Sequence, residues 1–153
     1  MNPKRVLAKD TIVMSLKSTT KEGAIEELID VLANCGRIKD RKAAFKAVME
    51  REKKMSTGLQ NGIAIPHGKT DTIESLVASI GISPSGIPFE SLDGQPAQII
   101  LLTISPASRT GPHIQFLADV SRVLHNDQIR QRVLSATRED EVLDLLSGEA
   151  PAA

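Results

Sequence analysis

Residues 98–105 read QIILLTIS, and Ile99 to Leu102 form an unbroken run of large aliphatic side chains. A half-buried strand alternates apolar and polar residues, so a continuous apolar run reads as a strand covered on both faces. Such a strand needs a layer on each side of its sheet, and helical patterns before and after it supply them. The run is far too short to cross a membrane. SLVASIGIS (75–83) does alternate, with Leu76, Ala78, Ile80 and Ile82 on one face, as a strand with one buried side does. Asp93-Gly94 marks a turn between the two strands.

Upstream, TIVMSL (11–16) reads as a first short strand. Thr19 or Thr20 then caps a helix, with Glu22 in a capping-box relation to Thr19. Ala24, Ile25, Leu28, Ile29 and Leu32 follow at helical spacing, and Gly36 is a natural stop. Asp40 caps a second helix over about 41–53, whose apolar side holds Ala44, Phe45 and Val48, and Ile63 to Ile65 form a short strand. Beyond residue 110 one helix carries Ile114, Leu117, Val120 and Leu124, a second Ile129 and Val133. A third, capped by Thr137 with Asp140 three residues on, carries Val142, Leu145 and Leu146. The expected fold is an α/β single-domain sandwich, a mixed β-sheet flanked by helices on both faces. It is one domain over 1–153, with a core at about 11–147 and frayed termini, the GEAPAA tail included.

The chain has no Trp or Tyr and three Phe (Phe45, Phe89, Phe116), so its core is aliphatic and base-stacking platforms for single strands are not expected. Lys and Arg together number 19 and so do Asp and Glu, which gives no bulk attraction to nucleic acid or anionic lipid. The N-terminus lacks the apolar stretch of a signal peptide, and the single Cys35 suits a reducing cytoplasm. A cytoplasmic protein without membrane insertion is expected. Cys35, ending a helix before Gly36, reads as a buried inert thiol.

STGLQNGIAIPHGKTDT (56–72) sets Gly58, Gly62 and Gly68 around a short apolar run that ends in Pro66-His67-Gly68. Pro66 lacks a backbone donor and tends to end a strand, while Gly68 lets the backbone turn or admit a large group beside the ring. The imidazole is expected at a strand end on stiff backbone. Nucleophile, general base and metal ligand are all open to it, and so is a plain surface His beside a turn. His113 follows Thr110-Gly111-Pro112, which suits a first helical turn. It lies on the stripe of Leu117 and Val120, so it should face the sheet. Two His beside a strand end and a helix N-terminus fit an anion or phosphate site, although His113 as a hydrogen-bonded corner filler fits equally.

Arg51 offers a guanidinium for phosphate oxygens, the Ser56 and Thr57 hydroxyls with the backbone at Gly58 suit the same anion, and Arg109 approaches from the other loop. Bland surface roles fit all five. A metal site is not expected: there is no Cys cluster or HExxH helix, and His125 reads as a solvated helix C-terminus. No G-x-S-x-G elbow, Walker loop or dinucleotide fingerprint occurs.

STGLQNGIAIPHGK (56–69) resembles the phosphorylation-site signature of enzyme IIA domains of the bacterial phosphotransferase system (PTS), fructose/mannitol class, which includes the nitrogen-regulatory IIA proteins. MEREKKMSTG (49–58) resembles that family's helix end with its Arg-Glu pair, and IPFESLDGQPAQIILLTISP (87–106) its hairpin and central strand. HIQFLADVSRVLHNDQIRQRVLSATREDEVLDLL (113–146) is similar to its C-terminal helices, with Ile114 where many members have Leu. The resemblance covers about Thr11 to Leu146. It implies that His67 accepts a phosphoryl group, at Nε2, from a phosphohistidine on the carrier HPr or a nitrogen-branch paralogue of it. The group then passes to a cysteine of a IIB domain or stays as a regulatory mark read by target proteins. His113 would hydrogen-bond the phosphoryl group, Arg51 neutralise its charge and Thr57 donate a hydroxyl, with no metal or cofactor. The lack of a fused IIB or membrane domain leans to the nitrogen-regulatory branch, as does the lack of a proline soon after the active-site loop. The alternative is a standalone fructose/mannitol-type transport component. A metal-dependent hydrolase using His67 and His113 is a remote third reading.

Overall fold

The computed structural model describes residues 3–148. The chain opens with two short 3-10 turns, Pro3–Arg5 and Lys9–Thr11, and Val6 and Leu7 between them are buried. The core thus begins upstream of residue 11, because two apolar residues carry no period to recognise. The strand expected over 11–16 is only β1 (Ile12–Val13), parallel to β4 (Val77–Ile87). Leu16 rejoins β4 through its N–H to the Ile82 carbonyl at 2.8 Å.

Helix α1 (Lys21–Asn34) is capped by Thr20, whose side chain accepts from the Gly23 N–H. The cap lies one residue past Thr19, so Gly23 occupies the third helical position and no Glu22 capping box forms. Helix α2 (Arg41–Lys54) is capped by Asp40, which accepts from the Ala43 N–H. The loop after it leads to β2 (Ile63–Ala64) and β3 (His67–Lys69). Strand β5 (Ala97–Ser105) runs antiparallel to β4 and parallel to both β2 and β3.

The sheet order is β1-β4-β5-β2, with β3 extending the β2 edge along β5. Strand β5 is buried on both faces as expected. Ile100, Leu102 and Ile104 join a cluster with Leu28 of α1 and Val48 of α2. Ile99 and Leu101 join an opposite cluster with Phe116, Val120, Val142 and Leu145. Each buried Leu or Ile contributes roughly 1.5–3 kcal/mol relative to exposure, so the sheet's two aliphatic layers need few aromatics. Strand β4 differs from the one-faced expectation: Val77–Ser83 is buried throughout. Its polar positions are small residues roofed by α1, where the Ser79 hydroxyl donates to the Leu28 carbonyl at 2.9 Å.

Three helices cover the other face: α3 (Gly111–Leu124), α4 (Asp127–Ser135) and α5 (Glu139–Leu146). The buried stripe of α3 is His113, Phe116, Val120 and Leu124. Ile114, expected on that stripe, is 66% exposed, because one residue rotates it by about 100° from His113. Thr137 does not cap α5; Arg138 occupies that position, and the Thr137 hydroxyl reaches Glu141 instead. Cys35 is half-buried rather than buried, its thiol donating to the Asp10 carbonyl. The architecture is the expected α/β sandwich with a mixed sheet, and the residues beyond 148 of the expected frayed tail lie outside the described residues.

Candidate active site

Pro66 divides the outer edge of the sheet without breaking its register. β2 pairs with Ile99 and Ile100, and β3 resumes pairing at Thr103–Ser105 of the same strand. The Pro66 carbonyl accepts from the Thr103 N–H at 3.1 Å, so the missing proline donor costs no pairing on this side. His67 therefore begins a strand instead of standing at the end of one, and ladder bonds hold its backbone. Its ring is held as well: Nδ1 lies 3.0 Å from the Ile65 carbonyl oxygen. A carbonyl only accepts, so Nδ1 carries a proton, and in the neutral ring the lone pair is on Nε2.

Gly68 faces α2. A Cβ there would lie 2.8 Å from the Val48 nitrogen and 2.9 Å from the Ala47 carbonyl carbon. Only glycine lets the helix rest this closely on the strand. The same approach brings Arg51, one turn beyond Ala47, to the His67 edge. Ala47, Glu50, Arg51 and Lys54 of α2 line a cleft of about 340 Å³ with His67, Gly68 and Lys69. Three cations against one carboxylate give its wall a positive potential suited to an anion. Arg51 is half-buried, and its Nη1 donates to the Met55 carbonyl at 2.8 Å.

His113, 5% exposed in the first turn of α3, meets His67 with ring centroids 5.5 Å apart and planes inclined by 52°. Its Nε2 is 2.9 Å from the hydroxyl of Thr103, the residue opposite His67 in the ladder. Burial first, then the nearby cation of Lys69 and repulsion from His67 whenever that ring is protonated, lower its pKa to about 4, so the ring is uncharged near neutral pH.

The neighbouring loop does not offer its hydroxyls to the cleft. The Thr57 hydroxyl donates to Glu52 Oε1 and the Thr57 N–H to Glu52 Oε2 at 2.9 Å. The Ser56 hydroxyl donates to the Phe89 carbonyl at 2.6 Å and accepts the Gly58 N–H. Gly58 is packed so tightly on the Phe89–Ser91 segment that a Cβ would fall 2.7 Å from Ser91 Oγ. These three residues, expected as anion donors, form the loop's scaffold because both hydroxyls and the Thr57 and Gly58 N–H groups already have acceptors. Glu52 is buried, and Lys21 of α1 pairs with it at 2.9 Å while also reaching Glu90. Burial raises the Glu52 carboxyl, but the Thr57 hydroxyl, Lys21 and the Thr57 N–H outweigh it and hold it below the usual carboxylate range. Arg109 lines a separate hollow with Arg5, Glu74 and Pro112.

The structure thus sets His113 against His67 and places Arg51 on the wall of the cleft that His67 lines. Sequence reasoning missed Lys54, Lys69, Glu52 and Thr103. Lys69 was accessible, since it lies two residues from His67 on one strand face, and Lys54 follows Arg51 by three on a helix. Nothing local marks Thr103, and Glu52 was legible only as a member of the Arg-Glu pair, not as the buried acceptor for Thr57. Among the described residues no group of three or more His, Cys, Asp or Glu is placed to hold a metal ion. No described helix is long and apolar enough to cross a membrane.

Comparison with known proteins bears on this arrangement. Residues 5–149 match the family described as "Phosphoenolpyruvate-dependent sugar phosphotransferase system, EIIA 2". The chain is 39% identical over 128 residues to the PTS system fructose-specific EIIA component of Haloferax volcanii, covering 84% of this chain and 83% of that protein. It is 36% identical over 142 residues to the fructose-specific EIIABC component of Bacillus subtilis, covering 93% of this chain but spanning only 22% of that relative. Among solved structures, nitrogen regulatory protein IIA-Ntr from Neisseria meningitidis superposes with a TM-score of 0.86 at 25% identity, covering 93% of this chain and 97% of that one. The Escherichia coli complex of enzyme IIA mannitol with phosphorylated enzyme IIB mannitol matches with a TM-score of 0.79 at 27% identity, again over 93% and 97%. The chain belongs to the EIIA type 2 family of the phosphoenolpyruvate-dependent sugar phosphotransferase system, whose members are phosphotransferase components.

Proposed function

We propose that His67 accepts a phosphoryl group at Nε2 from a phosphohistidine on HPr or on a nitrogen-branch paralogue of it. The observation that carries this reading is the hydrogen bond from Nδ1 to the Ile65 carbonyl, which fixes the nucleophilic lone pair on the other nitrogen. In the transfer, the Nε2 lone pair forms the new P–N bond as the P–N bond to the donor's imidazole breaks, and that electron pair returns to the donor ring. The product ring on His67 is cationic, and its Nδ1–H to Ile65 strengthens as charge develops. Arg51, Lys54 and Lys69 offset the phosphoryl charge across the cleft. The protein's task is positioning and charge stabilisation, which a phosphoryl transition state chiefly needs.

Two fates are open to the bound group. Likeness to fructose-specific EIIA supports onward transfer, in which a IIB cysteine thiolate attacks phosphorus and Nε2 regains its lone pair. Likeness to IIA-Ntr supports retention as a mark that governs binding to regulatory target proteins. Incubation with phosphoenolpyruvate, enzyme I and HPr should add about 80 Da to the intact mass, in an acid-labile form absent from His67→Ala. No gain with HPr or its nitrogen-branch paralogue would refute the carrier role. Adding a IIB domain separates the fates: transport predicts loss of the label from this chain, regulation its persistence.

A further inference from the structure

The Thr103 side chain is wholly buried, and its single hydrogen-bond partner among the described residues is His113 Nε2, at 2.9 Å. Two arrangements satisfy that distance. If the imidazole donates, the Thr103 hydroxyl proton is left in the core without an acceptor, an arrangement that native interiors avoid. If the hydroxyl donates, both atoms are satisfied and the ring proton of a neutral His113 must sit on Nδ1.

We infer that Thr103 is a positioning residue that fixes the tautomer of His113, so that an uncharged imidazole presents an N–H, rather than a lone pair, to the phosphoryl group on His67. This deepens the reading that His67 is the acceptor and rests on it. A lone pair facing phosphoryl oxygens would repel them, whereas an N–H is a hydrogen-bond donor to them. The same residue holds His67 through the backbone: Thr103 lies opposite it in the ladder, and its N–H donates to the Pro66 carbonyl. One β5 residue therefore sets both rings, His67 by ladder register and His113 by side chain. The two rings end in matched tautomers, each protonated at Nδ1, with His67 Nε2 free for the new bond.

The test is long-range ¹H–¹⁵N correlation of the imidazoles at pH 7 in the full chain, in Thr103→Val and in Thr103→Ser, with the rate of phosphoryl uptake from phospho-HPr measured on each. Valine keeps the shape and removes the donor; serine restores the donor and checks that the site still folds. Wild type and Thr103→Ser should show His113 protonated at Nδ1. Thr103→Val should move proton density to Nε2 and slow uptake roughly ten- to a hundredfold, the loss expected for one hydrogen bond to a charged group. His113 protonated at Nε2 in the wild type overturns the inference. So does an unmoved tautomer, or an unchanged rate, in Thr103→Val. If the wild type takes up no phosphoryl group, the functional reading fails, and the spectra still decide whether Thr103 sets the tautomer.

Discussion

Acid should destabilise this fold through His113 over a window that the structure defines. Its pKa falls from the ordinary 6.5 to about 4, chiefly because the ring is buried. Above pH 6.5 the ring is neutral in folded and unfolded chains alike and adds no pH dependence. Between 6.5 and about 4 the unfolded chain binds a proton that the folded chain refuses, so stability falls as pH falls. Below about 4 both states are protonated and this loss is complete. A depression of that size corresponds to about 3 kcal/mol at roughly 1.36 kcal/mol per pKa unit. Glu52, whose carboxyl is held below its ordinary value of 4.5, adds its own loss only at more acidic pH, so the two windows barely overlap. Urea unfolding at pH 7 and pH 4, on wild type and His113→Gln, isolates the effect. Wild type should lose about 3 kcal/mol more than the variant between those pH values. Equal losses in the two proteins would refute the reasoning, because they would mean that folding does not keep His113 from its proton.

Gly68→Ala must move α2 from β3 by about half an ångström or more, since its Cβ meets backbone at 2.8 Å; overpacking of this kind costs about 1–3 kcal/mol. Calorimetry should show a lower Tm, and phosphoryl uptake should slow because Arg51 moves with the helix; an unchanged Tm counts against the close approach. Glu52→Gln keeps the shape of the side chain but removes the charge facing Lys21 and should cost about 1–3 kcal/mol, measured by urea denaturation. The Lys21→Met/Glu52→Gln pair should be less than additive, and simple additivity would argue against a coupled pair. Arg51→Gln should leave the fold's stability within about 0.5 kcal/mol, since the residue is half-buried at a helix end. Its uptake rate, followed by intact mass, should fall at least tenfold if the guanidinium meets the phosphoryl charge.

The sequence by itself determined the parts whose causes lie within a few residues. Asp40 caps α2 by accepting from that helix's N3 amide, the spacing of Leu28 and Leu32 marks the buried side of α1, and QIILLTIS reads as a strand covered on both faces. Pro66-His67-Gly68 was legible as a constrained imidazole, and the stripe through Val120 turned His113 toward the sheet. The Glu22 capping box expected with Thr19, the buried place expected for Ile114 and the cap expected at Thr137 each miss by one residue, the scale on which competing caps and a 100° helical step cannot be separated by pattern. Tertiary structure alone decided the rest. Parallel pairing of β3 with β5 sets Thr103 opposite His67, across 36 residues of chain, and so beneath His113. Packing of α2 on Gly68 gathers Arg51, Lys54 and Lys69, whereas Arg109 falls in another hollow. Glu52 and Phe89 claim the hydroxyls of Thr57 and Ser56. Periodicity and capping are local preferences of the backbone, written every two to four residues. Strand register and helix seating are settled by which distant surfaces exclude water together, and that is where the cleft acquires its chemistry.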